Sequence, residues 1–144
     1  MRHSAQNMFD LVADVERYPE FVPLCQALRV RRRTTDDQGL DILIADMQVG
    51  FRAIRETFTS RVTLDRAKLK ILVEYIDGPF SRLENVWNFR DELHGDSMVA
   101  FFIAYDFRSK LLGALMGSMF DQAFRKFSAA FEARADAVYG RKPA

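Results

Sequence analysis

Between residues 109 and 139 the apolar positions Leu112, Leu115, Met116, Met119, Ala123, Phe127, Ala130 and Phe131 recur every three or four residues, and Leu111, Phe120 and Phe124 widen the stripe. That spacing predicts a long helix with one broad apolar face. Ahead of it the period changes to two. Leu28 and Val30 alternate with Arg29, Arg31 and Arg33, which are expected to share one exposed face. Ile54, Phe58, Val62 and Leu64 alternate with Arg55, Thr57, Thr59, Arg61 and Thr63; Leu69, Ile71, Val73 and Tyr75 alternate with Lys68, Lys70 and Glu74. Leu83, Asn85, Trp87 and Phe89 share a face, and Val99, Phe101, Ile103, Tyr105 and Phe107 oppose Met98, Ala100, Phe102 and Ala104. Each run reads as a strand with one buried face. The run 40–49 is apolar on both faces, which leaves its orientation open.

Turn-forming groups separate these runs at hairpin spacing: Asp36-Asp37-Gln38-Gly39, Asp65-Arg66-Ala67, Asp77-Gly78-Pro79 and the polar stretch 92–96. The pattern is therefore a six-stranded antiparallel meander. Near the start, Ser4 is placed to cap a short helix whose apolar face is Met8, Phe9, Leu11, Val12 and Val15. Beyond it, Pro19 and Pro23 leave room for only a second short helical turn. A strongly twisted meander curls around whatever covers it, so the expected fold is α+β, a curved antiparallel sheet gripping the long C-terminal helix. The 144 residues, 49% of them hydrophobic, fit one domain over 1–144 with a frayed tail at 140–144.

Composition narrows the function classes. Lys and Arg number 21 against 20 Asp and Glu, a net charge of +1 that gives no support to a dedicated nucleic-acid binder. Cys25 is the only cysteine, so neither a disulfide framework nor a cysteine-rich zinc site can form within one chain. It is expected to be a buried structural thiol. The most apolar run, 111–120, is about half of the roughly 20 residues that a membrane span needs, so no transmembrane segment is expected. His3 and His94 have no set of converging ligands and no triad partners in view, and both are expected at the surface.

The segment Phe9-Asp10-Leu11-Val12-Ala13-Asp14-Val15-Glu16-Arg17-Tyr18-Pro19-Glu20-Phe21-Val22-Pro23-Leu24-Cys25 resembles the opening motif of the START-like coenzyme-Q-binding family, within the polyketide cyclase/dehydrase superfamily. Arg55-Glu56-Thr57-Phe58, Ser60-Arg61-Val62, Asp77-Gly78-Pro79-Phe80, the strand of Trp87 and the helix end Phe131-Glu132-Ala133-Arg134-Ala135 extend the resemblance over nearly the whole chain. It implies a helix-grip, START/Bet v 1-like fold, an apolar cavity, and binding of ubiquinone or a related lipid in respiration. For some members it implies a toxin that associates with the large ribosomal subunit and blocks subunit joining. By the same resemblance the protein is expected to be cytoplasmic, working at the periphery of the inner membrane if it handles a membrane lipid. One departure stands out. Folds of this kind begin with a strand ahead of the first helix, and Met1-Arg2-His3 leaves no room for it, so the sheet is expected to be open unless the natural chain begins further upstream.

On this footing the candidate cavity residues are Tyr18, Pro19, Phe21 and Val22 at the entrance, Glu56, Phe58, Asn85, Trp87, Phe89, Phe101, Ile103 and Tyr105 on the sheet, and Met116, Met119, Phe120 and Ala123 on the helix. Glu56 and Asn85 are polar on otherwise apolar faces, which suits either a contact to a ligand head group or a satisfied core pair. The Met and Phe residues of the helix suit either a cavity wall or plain packing. The run Arg29, Arg31, Arg32 and Arg33 reads first as a solvated strand face and second as a contact for RNA, the ribosome or an anionic membrane. No acid–base pair of a cyclase or dehydratase is evident, no catalytic residue or metal site is expected, and the only cofactor-like partner is a non-covalently bound lipid.

Overall fold

The alternating segments form six strands, β1 (Cys25–Thr35), β2 (Asp41–Phe51), β3 (Ile54–Asp65), β4 (Lys70–Asp77), β5 (Phe80–Asp91) and β6 (Ser97–Phe107), each paired antiparallel with the next. The computed structural model describes residues 1–51 and 53–140. Arg52, at the start of the third expected strand, and residues 141–144 of the tail expected at 140–144 lie outside the described residues. A short helix α1 (Ala5–Ala13) and a 3₁₀ helix (Val15–Glu20) precede the sheet, and the long helix α2 (Lys110–Tyr139) closes the chain over it. Ser4 caps α1 by accepting the Asn7 N–H, and Ser109 caps α2 by accepting the Leu112 N–H. Both helices thus begin where a hydroxyl can satisfy an orphan backbone donor.

The concave face carries the core. Leu43, Val62, Leu64, Ile71, Trp87 and Phe89 pack beneath α1 and the C-terminal part of α2, while Val49, Phe80 and Leu83 pack beneath its N-terminal part, around Met116 and Phe120. Gly78, in the turn between β4 and β5, has φ +146° and lies so close to β3 that a Cβ there would stand 2.5 Å from Phe58 Cβ. Only glycine fits this crossing.

Three expectations change. The buried line of α2 runs through Met116, Phe120, Ala123, Phe131 and Ala135, whereas Leu111 and Leu115 are 71% and 51% exposed. The apolar band was wider than the face the sheet could cover, and the large rings of Phe120 and Phe131 set which part turned inward. Arg29, Arg31 and Arg33 do not share a face, because a bulge between Val30 and Arg32 shifts the register. Arg33 then lies opposite the buried Leu43 and forms an ion pair with Glu16 of the 3₁₀ helix, while Arg31 remains outside, 3.5 Å from Asp46. His3 is buried, 3% exposed, with Nε2 2.7 Å from Asp136 Oδ1 on α2, although His94 is at the surface as expected. The sheet is open as expected, β1 and β6 being its two edges, but the chain start is not idle: the Met1 N–H donates to Ser97 O (2.8 Å) and the Ser97 N–H to Met1 O (2.9 Å).

Candidate functional site

A cavity of about 120 Å³ lies between the concave face and α2. Its floor is made by inward positions of all six strands, including Leu28, Ala45, Met47, Phe58, Ser60, Val62 and Ile71. Asn85, Trp87, Phe101 and Ile103 continue that floor, and Phe120, Ala123, Phe124, Phe127 and Phe131 of α2 form the roof. Val15, Tyr18, Val22, Pro23 and Leu24 close one side. Among the described residues no charged side chain lines it. The period-two pattern places the floor side chains, and the three- to four-residue spacing places the roof.

The polar groups present are few. Asn85 donates from Nδ2 to Phe102 O (2.9 Å) and accepts the Trp87 Nε1–H at Oδ1 (3.1 Å). The indole donor fixes which end of the amide is oxygen, and one N–H of Asn85 is left over. Tyr18 donates its hydroxyl to Val12 O, and burial, reinforced by the Cys25 thiol and Asp14, drives its pKa upward. Tyr18 therefore presents a neutral ring to the cavity. Burial also pushes the Cys25 thiol up to about 11, as suits an inert structural thiol. Ser60 Oγ is buried and has no hydrogen-bond partner.

Of the residues singled out in the sequence, Tyr18, Val22, Phe58, Asn85, Trp87, Phe101, Ile103, Phe120 and Ala123 are brought together around this space. The others stand elsewhere. Pro19 is exposed in the 3₁₀ helix. Phe21 covers Phe131, with ring centroids 5.1 Å apart, under the Arg134 guanidinium, so it is packing and not an entrance. Glu56, opposite Val49 near the start of β3, is half-buried and outside the lining. Phe89 is held edge-on by Phe9 of α1, at 5.6 Å. Tyr105 turns to α2, where its hydroxyl donates to Asp121 (2.7 Å); burial, and then that bond, raise its pKa. Met116 is 1% exposed in the packing around Phe80, and Met119 is half-buried outside the lining. Sequence reasoning missed Ser60, Leu24 and the ring trio Phe124, Phe127 and Phe131. A hydroxyl at an even position of β3 was the available signal for Ser60. Leu24 could not have been found, since it takes φ +67°, a conformation that leucine rarely adopts.

Among the described residues no cluster of His, Cys, Asp and Glu could hold a metal, and no helix is long and apolar enough to cross a membrane. Comparison with known proteins gives this arrangement a family. The chain is 32% identical over 139 residues to the ribosome association toxin RatA of Pseudomonas aeruginosa, covering 96% of this chain and 92% of that one. It is 31% identical over 143 residues to the mitochondrial coenzyme Q-binding protein COQ10 homolog B of Xenopus laevis, covering 96% of this chain and 56% of that one. Among solved structures, the 18 kDa protein CC1736 of Caulobacter crescentus superposes with a TM-score of 0.78 at 37% identity, over 98% of this chain and 94% of that one. The Zhui aromatase/cyclase of Streptomyces shares the fold, with a TM-score of 0.74 at 16% identity over 94% of this chain and 88% of that one. Residues 1–132 match the family described as polyketide cyclase/dehydrase and lipid transport, and the chain belongs to that family.

Proposed function

We propose that this protein binds ubiquinone or a related isoprenoid lipid in its cavity and acts as a carrier or shield for that lipid in respiration. The observation that carries the reading is the almost wholly apolar lining beneath α2, where Asn85 and Ser60 are, among the described residues, the only hydrogen-bonding side chains besides the engaged Tyr18 and Trp87. Such a wall rejects an ion and accepts a hydrocarbon. Each buried methylene contributes about 0.8 kcal/mol before ordering costs. The cavity of about 120 Å³ is small beside the roughly 300–1,000 Å³ of ordinary ligand pockets, so a tailed lipid enters by displacing part of the roof.

Trp87, the sole tryptophan and a cavity-lining residue, reports on occupancy. Ubiquinone analogues should quench its fluorescence saturably, with affinity rising with tail length until the space is full. Purely linear, collisional quenching by every tail length would sink the reading.

The relatives named as ribosome association toxins support a second reading, ribosome association, and we propose β1 as its docking face on the large subunit. Arg29, Arg31 and Arg32 are all exposed there, whereas Arg33 is engaged by Glu16. Changing Arg29, Arg31 and Arg32 to Glu should abolish salt-sensitive co-sedimentation with ribosomes and leave quinone binding unchanged. Co-sedimentation that survives the charge reversal rejects docking by this surface. A cyclase or dehydratase, the third reading, needs an acid–base pair, and among the described residues no carboxylate or histidine lines the cavity.

A further inference from the structure

Among the described residues three buried side-chain polar atoms have no hydrogen-bond partner, Ser60 Oγ, Ser97 Oγ and Arg134 Nε, and of these residues Ser60 alone lines the cavity. Its surroundings explain why it is stranded. Across the sheet it faces Ala45 and Tyr75, and along β3 its concave-face neighbours are Phe58 and Val62. Tyr75 is the one polar neighbour, and its hydroxyl accepts the Phe80 N–H at 3.1 Å and makes no bond to Ser60. Ser60 is 5% exposed, so bulk water does not reach it. A hydroxyl left in this state weakens the folded chain, and alanine would sit there at lower cost. The group therefore makes sense as one that is satisfied by something entering the cavity.

Asn85 is the competing anchor, and geometry separates the two. Ser60 lies in the row of Tyr75, while Asn85 lies opposite Val73 and hence one step along the strands from that row. Two strand spacings and one two-residue step put their Cα atoms roughly 12 Å apart. A single carbonyl oxygen reaches one of them and not both. Asn85 already makes two bonds; Ser60 makes none.

We propose that Ser60 is the head-group anchor of this cavity, its hydroxyl donating a hydrogen bond to an uncharged carbonyl oxygen at the polar end of an otherwise apolar ligand. The inference rests on the lipid-binding reading above and narrows it. With no cation among the described wall residues, an ionised carboxylate or phosphate head has nothing to offset its desolvation, so the ligand class is neutral and carbonyl-bearing, as in quinones and long-chain ketones.

The test compares wild type with Ser60→Ala by calorimetry, using a decyl-tailed ubiquinone analogue and, in parallel, decylbenzene, which has the apolar body without the carbonyls. The variant should melt at the same temperature as wild type or higher when unliganded, bind the quinone roughly fivefold more weakly, and bind decylbenzene equally well. If wild type binds both probes and the variant loses affinity for neither, or for both alike, Ser60 is not the anchor although the cavity still takes apolar ligands. If wild type binds neither probe, the lipid-binding reading fails and the anchor falls with it.

Discussion

The two halves of α2 do different work. Beyond Phe127 the helix is locked: Phe131 touches the rings of Tyr18, Phe21 and Trp87 at 5.6, 5.1 and 5.2 Å, Ala135 is fully buried, Arg134 bonds Glu20 at 3.0 Å and Asp136 bonds His3. From Phe120 to Phe127 it is a roof, and Phe131 borders the same space from the locked end. Met116 and Phe120 pack on Phe80 and its neighbours, but Leu111 and Leu115 face outward, and the polar tie to the sheet is the Tyr105 hydroxyl on Asp121 and Gly117. One continuous helix thus serves as core at its C-terminal end and as a cover over empty space in its middle. A fold of this size can keep a cavity because the helix that covers it is anchored at its far end by rings and ionic contacts.

The contrast breaks first at Phe131. Phe131→Ala should cost about 3–5 kcal/mol in urea unfolding, whereas Phe124→Ala, a half-buried ring already bordering free volume, should cost about 1–2 kcal/mol. Equal losses would mean that the two halves are equally core. Next in size is Ala123→Phe, which puts a ring into the cavity from the roof. Quinone affinity should fall at least about tenfold while stability changes by no more than about 1 kcal/mol, as free volume absorbs the added atoms; a large loss of stability with binding intact would show that the space is not where the ligand sits.

Hydrogen exchange sharpens the contrast. Backbone amides over 113–124 should exchange at least about tenfold faster than those over 127–138, and a bound quinone analogue should slow the first group selectively. Uniform protection along the helix, with or without ligand, contradicts a movable roof.

The smallest effect is at Glu20. Hydrogen bonds from Arg17 and Arg134 hold its carboxyl below the ordinary carboxylate range. Its folded pKa being the lower one, its contribution is present at neutral pH and lost as the pH falls through that range. The melting temperature of Glu20→Gln should lie slightly below that of wild type at pH 7, and the gap should close by about pH 3. A gap that is the same at both values would assign Glu20 no ionic role.

Much of the architecture was legible because strand and helix periods are written locally: the alternation from Leu83 to Phe89 and from Val99 to Phe107 fixes both faces without help from the rest of the chain. What distinguishes a cavity wall from a core is not local. Trp87 and Phe89 share a face, yet only Phe89 meets Phe9, far earlier in the chain, and so becomes packing. Met116 has the same spacing and composition as helix residues that do line the space. His3 shows the same limit, since Asp136 supplies its burial from the far end of the chain. At Arg33 the obstacle was a single bulge, which reverses a strand's faces without any change in composition.

The close crossing at Gly78 gives the molecule a volume control that lies outside its own cavity. Phe58 lines the space and also lies against the Gly78 backbone. Any side chain at 78 must displace Phe58, and with it a ring of the wall around the space a ligand would fill. The smallest such side chain, a single methyl, would therefore reshape the site without touching anything that enters it.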